Sequence, residues 1–269
     1  MIKNFRFEIS FRNYDQLDNK LSFCQSNNIN KINIPCKGII KKEFLYDVVE
    51  YIGKKYSEFD VFYHYSLYHQ YSKNKEKSYL DLLNFIKRCS LYNNFQILIV
   101  SGSNKRKNFE ILKVLSQLKN EMNMNVKLGI AYNPYLKNYY SNFYERDRFE
   151  EKIDTGLIKS VWLQFGTDLD LLQNEIDFLK RSISYKYKEE NIKIYGSMLI
   201  PSRQFIARFK FRPWKEVYIA REYLYSLEEF NNFTKNLFCL YKDNNIIPVI
   251  ETEFSKQDLF NNIYNFVNK

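Results

Sequence analysis

Glycine and proline are scarce in this chain, at 7 and 5 of 269 residues. That scarcity argues against a low-complexity or collagenous chain and against long flexible linkers. Histidine is rarer still. With only His64 and His69, a zinc site built on several imidazoles is not expected. The four cysteines, Cys24, Cys36, Cys89 and Cys239, lie far apart and form no CxxC pair. They read as reduced core thiols of a cytoplasmic protein, and not as a disulfide frame or a metal cluster. No apolar run approaches the roughly 20 residues of a membrane span. The opening MIKNFRFEIS lacks the layout of a signal peptide. Neither a GxGxxG fingerprint nor a P-loop occurs.

Apolar side chains and rings are abundant. Hydrophobic residues make up 45% of the chain, enough for a full core, and 23 Tyr with 23 Phe predict one rich in rings. The formal charge is +10. Lysine and asparagine are both frequent, so a biased base composition of the gene accounts for the charge. The functional alternative is attraction of anions such as nucleotide phosphates or a polyglutamate tail. The cations are dispersed and no nucleic-acid motif accompanies them, so no nucleic-acid partner is expected. No membrane partner is expected either, and association into a homo-oligomer is left open.

Strand and helix periodicities alternate along the whole chain. Strands are predicted over 4–10, 31–36, 60–67, 95–100, 126–131, 160–165, 192–200 and 246–251. Helices are predicted over 14–27, 42–55, 78–91, 107–122, 143–155, 169–185, 228–242 and 256–267. The fourth helix has Phe109, Leu112, Leu115 and Leu118 as its stripe. Eight β-then-α units predict a (β/α)8 TIM barrel, as a single domain over residues 1–269. Val217-Tyr218-Ile219 is assigned to an elaborated crossover after the seventh strand, preceded by an ordered loop, RFKFRPW.

In a barrel, chemistry sits where the strands end. The first strand carries Glu8 there, among Phe7, Ile9 and Phe11, which makes it a candidate proton donor. The plain alternative is a carboxylate paired with a cation. The third strand ends FYHYSLYH, with His64 and Ser66, and the fourth ends VSGS, with Gly102 and Ser103. Asn104 to Lys107 follow, with three cations near a helix start, where anions are normally favoured. A bound diphosphate would relieve that conflict; a solvated basic loop is the plain alternative. Arg148 to Asp168 reads as a helix, a turn at Gly156 and a strand over 160–165 with Gln164 near its carboxyl end. Gln164 is the odd amide of an apolar strand, and a bond to a neighbouring loop would explain it.

Taken in order, these strings resemble the methylenetetrahydrofolate reductase family. RFEEKIDTGLIKSVWLQ resembles its "KVDAGADF-ITQ" block through Lys152, Asp154, Gly156 and Gln164. FEIS matches its "FEF" strand, FYHYS its "HLTC" strand end, and GIAYNPYLK its "VAGYPE-H" string, with Lys137 in place of His. YGSMLIPS is similar to its "PGIMPI", and PVIET supplies Thr252 for its last strand. The resemblance implies FAD, NAD(P)H as cosubstrate and a folate substrate, with 5,10-methylenetetrahydrofolate reduced to 5-methyltetrahydrofolate. It implies Glu8 as the acid and Gln164 on the pterin. It places His64, Ser66, Gly102, Ser103, Lys137 and Lys152 near the flavin or a nucleotide. The chain departs from the pattern at Ser103, where the family has Asp, and at Phe11-Arg12, where it has two prolines. Two alternatives remain: a folate- or flavin-binding protein without reductase activity, and a reductase that dispenses with flavin.

Overall fold

The computed structural model describes residues 4–36, 42–72, 74–92, 94–101, 109–121, 127–136, 144–187, 192–214, 217–252 and 256–267. The chain runs β1 (Arg6–Glu8), α1 (Tyr14–Ser26), β2 (Lys31–Ile34), α2 (Lys42–Lys55), β3 (Asp60–Ser66) and α3 (Lys75–Cys89). It continues with β4 (Phe95–Val100), α4 (Ile111–Glu121), β5 (Lys127–Tyr132), α5 (Tyr144–Ile153), β6 (Ile158–Leu163) and α6 (Leu169–Lys186). Then come β7 (Lys193–Met198), α7 (Arg203–Phe211), α8 (Arg221–Tyr225), α9 (Leu227–Asp243), β8 (Ile247–Ile250) and α10 (Gln257–Val267). The strands form a closed barrel in the order β1 to β8, the TIM-barrel architecture that the alternation predicts.

Local chemistry starts many of the helices. Asn13, Asn74, Asp168, Ser202 and Ser226 are N-caps whose side chains accept from a backbone N–H in the first turn. Gly156 takes a positive φ of 76° after α5, the left-handed position that favours glycine.

By packing, the chain divides into two compact units, each assembled from separate segments. One comprises Phe7–Ile130 with Glu151–Lys159. In it Tyr63 and Tyr65 of β3 lie against Phe85 of α3, with centroids 6.2 and 5.1 Å apart. By strand alternation, Phe62, His64 and Ser66 face the other side. The second unit comprises Met1–Arg6, Ala131–Glu150 and Ser160–Lys269. There Phe165 packs on Phe230 and Phe233 of α9. Gly196 of β7 lies so close to Tyr241 that a Cβ would fall 2.3 Å from its ring.

Several boundaries differ from expectation. The described part of α4 is Ile111–Glu121, and its buried stripe is Ile111, Val114, Leu115 and Leu118, with Leu112 half-buried. Strand β6 begins at Ile158, two residues early, because the chain straightens directly after the Gly156 turn. It closes at Leu163, although the Gln164 N–H still donates to the Tyr132 carbonyl at 2.9 Å. RQFIARFKF forms helix α7, where Arg208 to Phe211 were expected in a loop. Ser202 caps its start and Pro213 follows its last turn. Trp214 then packs edge-on against Phe205 at 5.5 Å. Val217 to Ile219 stay in the crossover as predicted, with a parallel bridge between Gly166 and Tyr218.

The cysteines are all free, but only Cys24 and Cys89 are buried; Cys36 is intermediate and Cys239 exposed. The core-thiol expectation therefore fails for Cys239, on the outer side of α9. Burial pushes the Cys24 thiol up to about 12, against a smaller lowering by Lys20. The thiolate is the reactive form. Alkylation of the native protein should therefore mark Cys239 first and leave Cys24 and Cys89 intact until denaturant is added. Peptide mass mapping at timed intervals checks this, and early loss of the Cys24 thiol would contradict it.

Candidate functional site

Three polar residues on consecutive strands form a cluster in the Phe7–Ile130 unit. Glu8 is the last residue of β1 and is half-buried. Its register partner across the parallel pair is Asn33 of β2. Asn33 is fully buried, at 0% exposure. Its backbone is held on the β1 side, where the Ile9 N–H donates to the Asn33 carbonyl at 2.8 Å. Its side-chain amide Nδ2 lies 3.5 Å from Nε2 of His64. His64 is half-buried on β3 and pairs in register with Leu98 of β4. A carboxyl group, an amide and an imidazole thus stand at successive strands, a set suited to moving or holding a proton.

Asn33 was missed by sequence reasoning. KINIPCK does contain the signal, an amide inside an apolar strand, the same oddity that singled out Gln164.

Ser66 lies two residues beyond His64 but turns its polar atoms inward. It is 1% exposed. Its Oγ accepts from the His69 N–H at 3.2 Å, and its carbonyl accepts from the Gln70 N–H at 2.9 Å. The hydroxyl thus closes the turn after β3. His69 itself is exposed.

Lys152 is on the last turn of α5 and is 2% exposed. Its carbonyl accepts from the Thr155 hydroxyl at 2.7 Å, closing the turn that leads into β6. Barrels place their chemistry where strands end, and Lys152 precedes the start of one. Gly102, Ser103, Lys105, Arg106, Lys107 and Lys137 lie outside the described residues.

The other unit holds Gln164. Its Oε1 accepts from the N–H of Phe165 at 3.2 Å, a local bond rather than one to a distant loop. On the same side of β6, one pleat earlier, Trp162 stacks on Tyr195 of β7 with centroids 4.1 Å apart and planes at 16°. The guanidinium of Arg6, itself 1% exposed, sits 5.8 Å from the Tyr195 ring centre. Tyr135 is structural. It is fully buried and its hydroxyl donates to the Gly166 carbonyl at 3.0 Å. Thr252 joins the ends of β7 and β8 by accepting from the Ile200 N–H at 2.7 Å.

A second polar set in that unit also escaped the sequence reading. Glu175 of α6, 2% exposed, accepts from Arg146 of α5 at 2.8 and 3.0 Å and from the Tyr132 hydroxyl. The hydrogen bond to Glu175 raises the Arg146 guanidinium further above its usual value. Burial, and then the bond to Glu175, push the Tyr132 hydroxyl up. Its signal was a carboxylate on the apolar face of α6, beside Leu172, Ile176 and Leu179. Among the described residues no group of His, Cys, Asp or Glu could hold a metal ion, and no helix is long and apolar enough to cross a membrane.

No family model and no curated protein matches this chain. Solved structures do resemble it. Catalytic-site mutants of active domain 2 of a chitinase from Pyrococcus furiosus align with a TM-score of 0.53 at 12% identity, over 93% of this chain and 84% of theirs. A dihydrodipicolinate synthase aligns with a TM-score of 0.54 at 9% identity, over 98% and 76%. A 2,3-dimethylmalate lyase of the PEP mutase/isocitrate lyase superfamily aligns with a TM-score of 0.54 at 7% identity, over 98% and 80%. These barrels act on unrelated substrates, so the likeness identifies a fold and no shared chemistry.

Proposed function

We propose that this chain is an oxidoreductase of folate one-carbon chemistry, reducing 5,10-methylenetetrahydrofolate with NAD(P)H. The observation that carries the reading is the Glu8–Asn33–His64 cluster, with Glu8 at the end of the first strand, where the resemblance puts the acid. The order of the other matching strings supports it. In this reading Glu8 delivers a proton to the folate amine as the methylene bridge opens. His64 fixes the ring that faces it.

FAD, when bound, supplies the relay of hydride from nicotinamide to folate. The described residues fit it only in part. Of those the resemblance assigns to the flavin or nucleotide, His64 keeps partial exposure on a strand. Ser66 is 1% exposed and closes its own turn, and Lys152 is 2% exposed at the entry to β6. Those two burials favour a second reading, in which hydride passes directly from reduced nicotinamide to folate.

The purified protein separates the readings. A flavin absorption band, with turnover of NADH and 5,10-methylenetetrahydrofolate, supports the first. A colourless protein with the same turnover, not increased by added FAD, supports the second. Absence of both flavin and folate binding retires the proposal.

A further inference from the structure

We infer that Asn33 is a positioning residue that holds His64 in one neutral tautomer, with its proton on Nδ1. The amide nitrogen of Asn33 faces Nε2 of His64 at 3.5 Å. An amide nitrogen can only donate, so Nε2 must be the acceptor. A neutral imidazole that accepts at Nε2 carries its proton on Nδ1.

The amide is well placed to impose that choice. Asn33 is 0% exposed, so water does not compete for it. Its strand is paired on both sides, with Glu8 of β1 and Phe62 of β3 as register partners. His64 is half-buried. Its two ring nitrogens point in different directions, so a ring held through Nε2 offers Nδ1–H elsewhere. That N–H is a neutral donor for an acceptor atom of a bound ring. Its role toward substrate rests on the folate reading; the tautomer does not.

Nuclear magnetic resonance tests this on the full chain. The protein has two histidines, so long-range proton–nitrogen spectra contain two imidazoles, and His69→Gln assigns them. In the ligand-free protein at neutral pH, His64 should show the Nδ1–H pattern, favoured by about five- to tenfold for one net hydrogen bond. Asn33→Asp replaces the donor with an acceptor and should move the proton to Nε2. Asn33→Leu should leave a mixture. Wild-type His64 in the Nε2–H form or as imidazolium overturns the inference. So does a tautomer unchanged in Asn33→Asp, provided its backbone spectrum is native. Addition of 5-methyltetrahydrofolate should then shift the His64 Nδ1 signal. A wild-type Nδ1–H pattern with no shift on addition supports the tautomer and counts against the folate reading alone.

Discussion

Glu8→Gln should lower folate-dependent oxidation of NAD(P)H by about 10²- to 10⁴-fold, the range that a positioned proton donor contributes. Glutamine keeps the shape of the side chain and can still hydrogen-bond at the end of β1. It cannot give up a proton. Folate affinity, measured separately by equilibrium fluorescence, should stay within about tenfold, a difference of about 1.4 kcal/mol. The split between turnover and binding is the discriminating part. A carboxylate that merely supports the strand ends would lose both together, or neither. If Glu8→Gln turns over at the wild-type rate, Glu8 is structural and the proposed mechanism falls.

Glu175→Ala should cost about 3 kcal/mol of folding stability, the lower end of the range for breaking a buried ion pair. Glu175 is almost fully buried, whereas the Arg146 side chain is 25% exposed. Water therefore recovers part of the orphaned guanidinium's solvation, and the cost falls below that of a wholly buried charge. The guanidinium also rests on the Phe178 ring at 4.6 Å, which persists in the variant. The Tyr132 hydroxyl fares worse. It donates to Glu175 from a buried position at the end of β5, and the variant leaves it without that acceptor. Glu175→Gln keeps an acceptor for Tyr132 and should cost less. Urea unfolding followed by circular dichroism measures both variants. A loss below about 1 kcal/mol for Glu175→Ala, the scale of one ordinary hydrogen bond, would show that the set contributes little.

The barrel was legible in the chain because each βα unit announces itself locally. Strand β4, FQILIV, is short and apolar, and α9 carries Phe230, Phe233 and Leu237 at helical spacing. Those periods are properties of contiguous residues and need no tertiary information. Glu8 and His64 could be picked out from their places toward the carboxyl ends of predicted strands. The placement of Gly156 was legible too, since few other residues tolerate its φ.

Partnership was not legible, because it depends on register between distant segments. Asn33 lies 25 residues from Glu8 and 31 from His64, and only the parallel pairing of β1, β2 and β3 brings the three together. Glu175 meets Arg146 across 29 residues because α6 turns that face toward α5. Ser66 and Lys152 show the reverse case. Their spacing matched a binding pattern, yet the fold spends the Ser66 hydroxyl and the Lys152 carbonyl on their own turns. A one-dimensional pattern states which residue type stands at a strand end or a helix end. Whether its polar atoms face a ligand or satisfy the backbone is decided by burial, and burial exists only once the strands have paired.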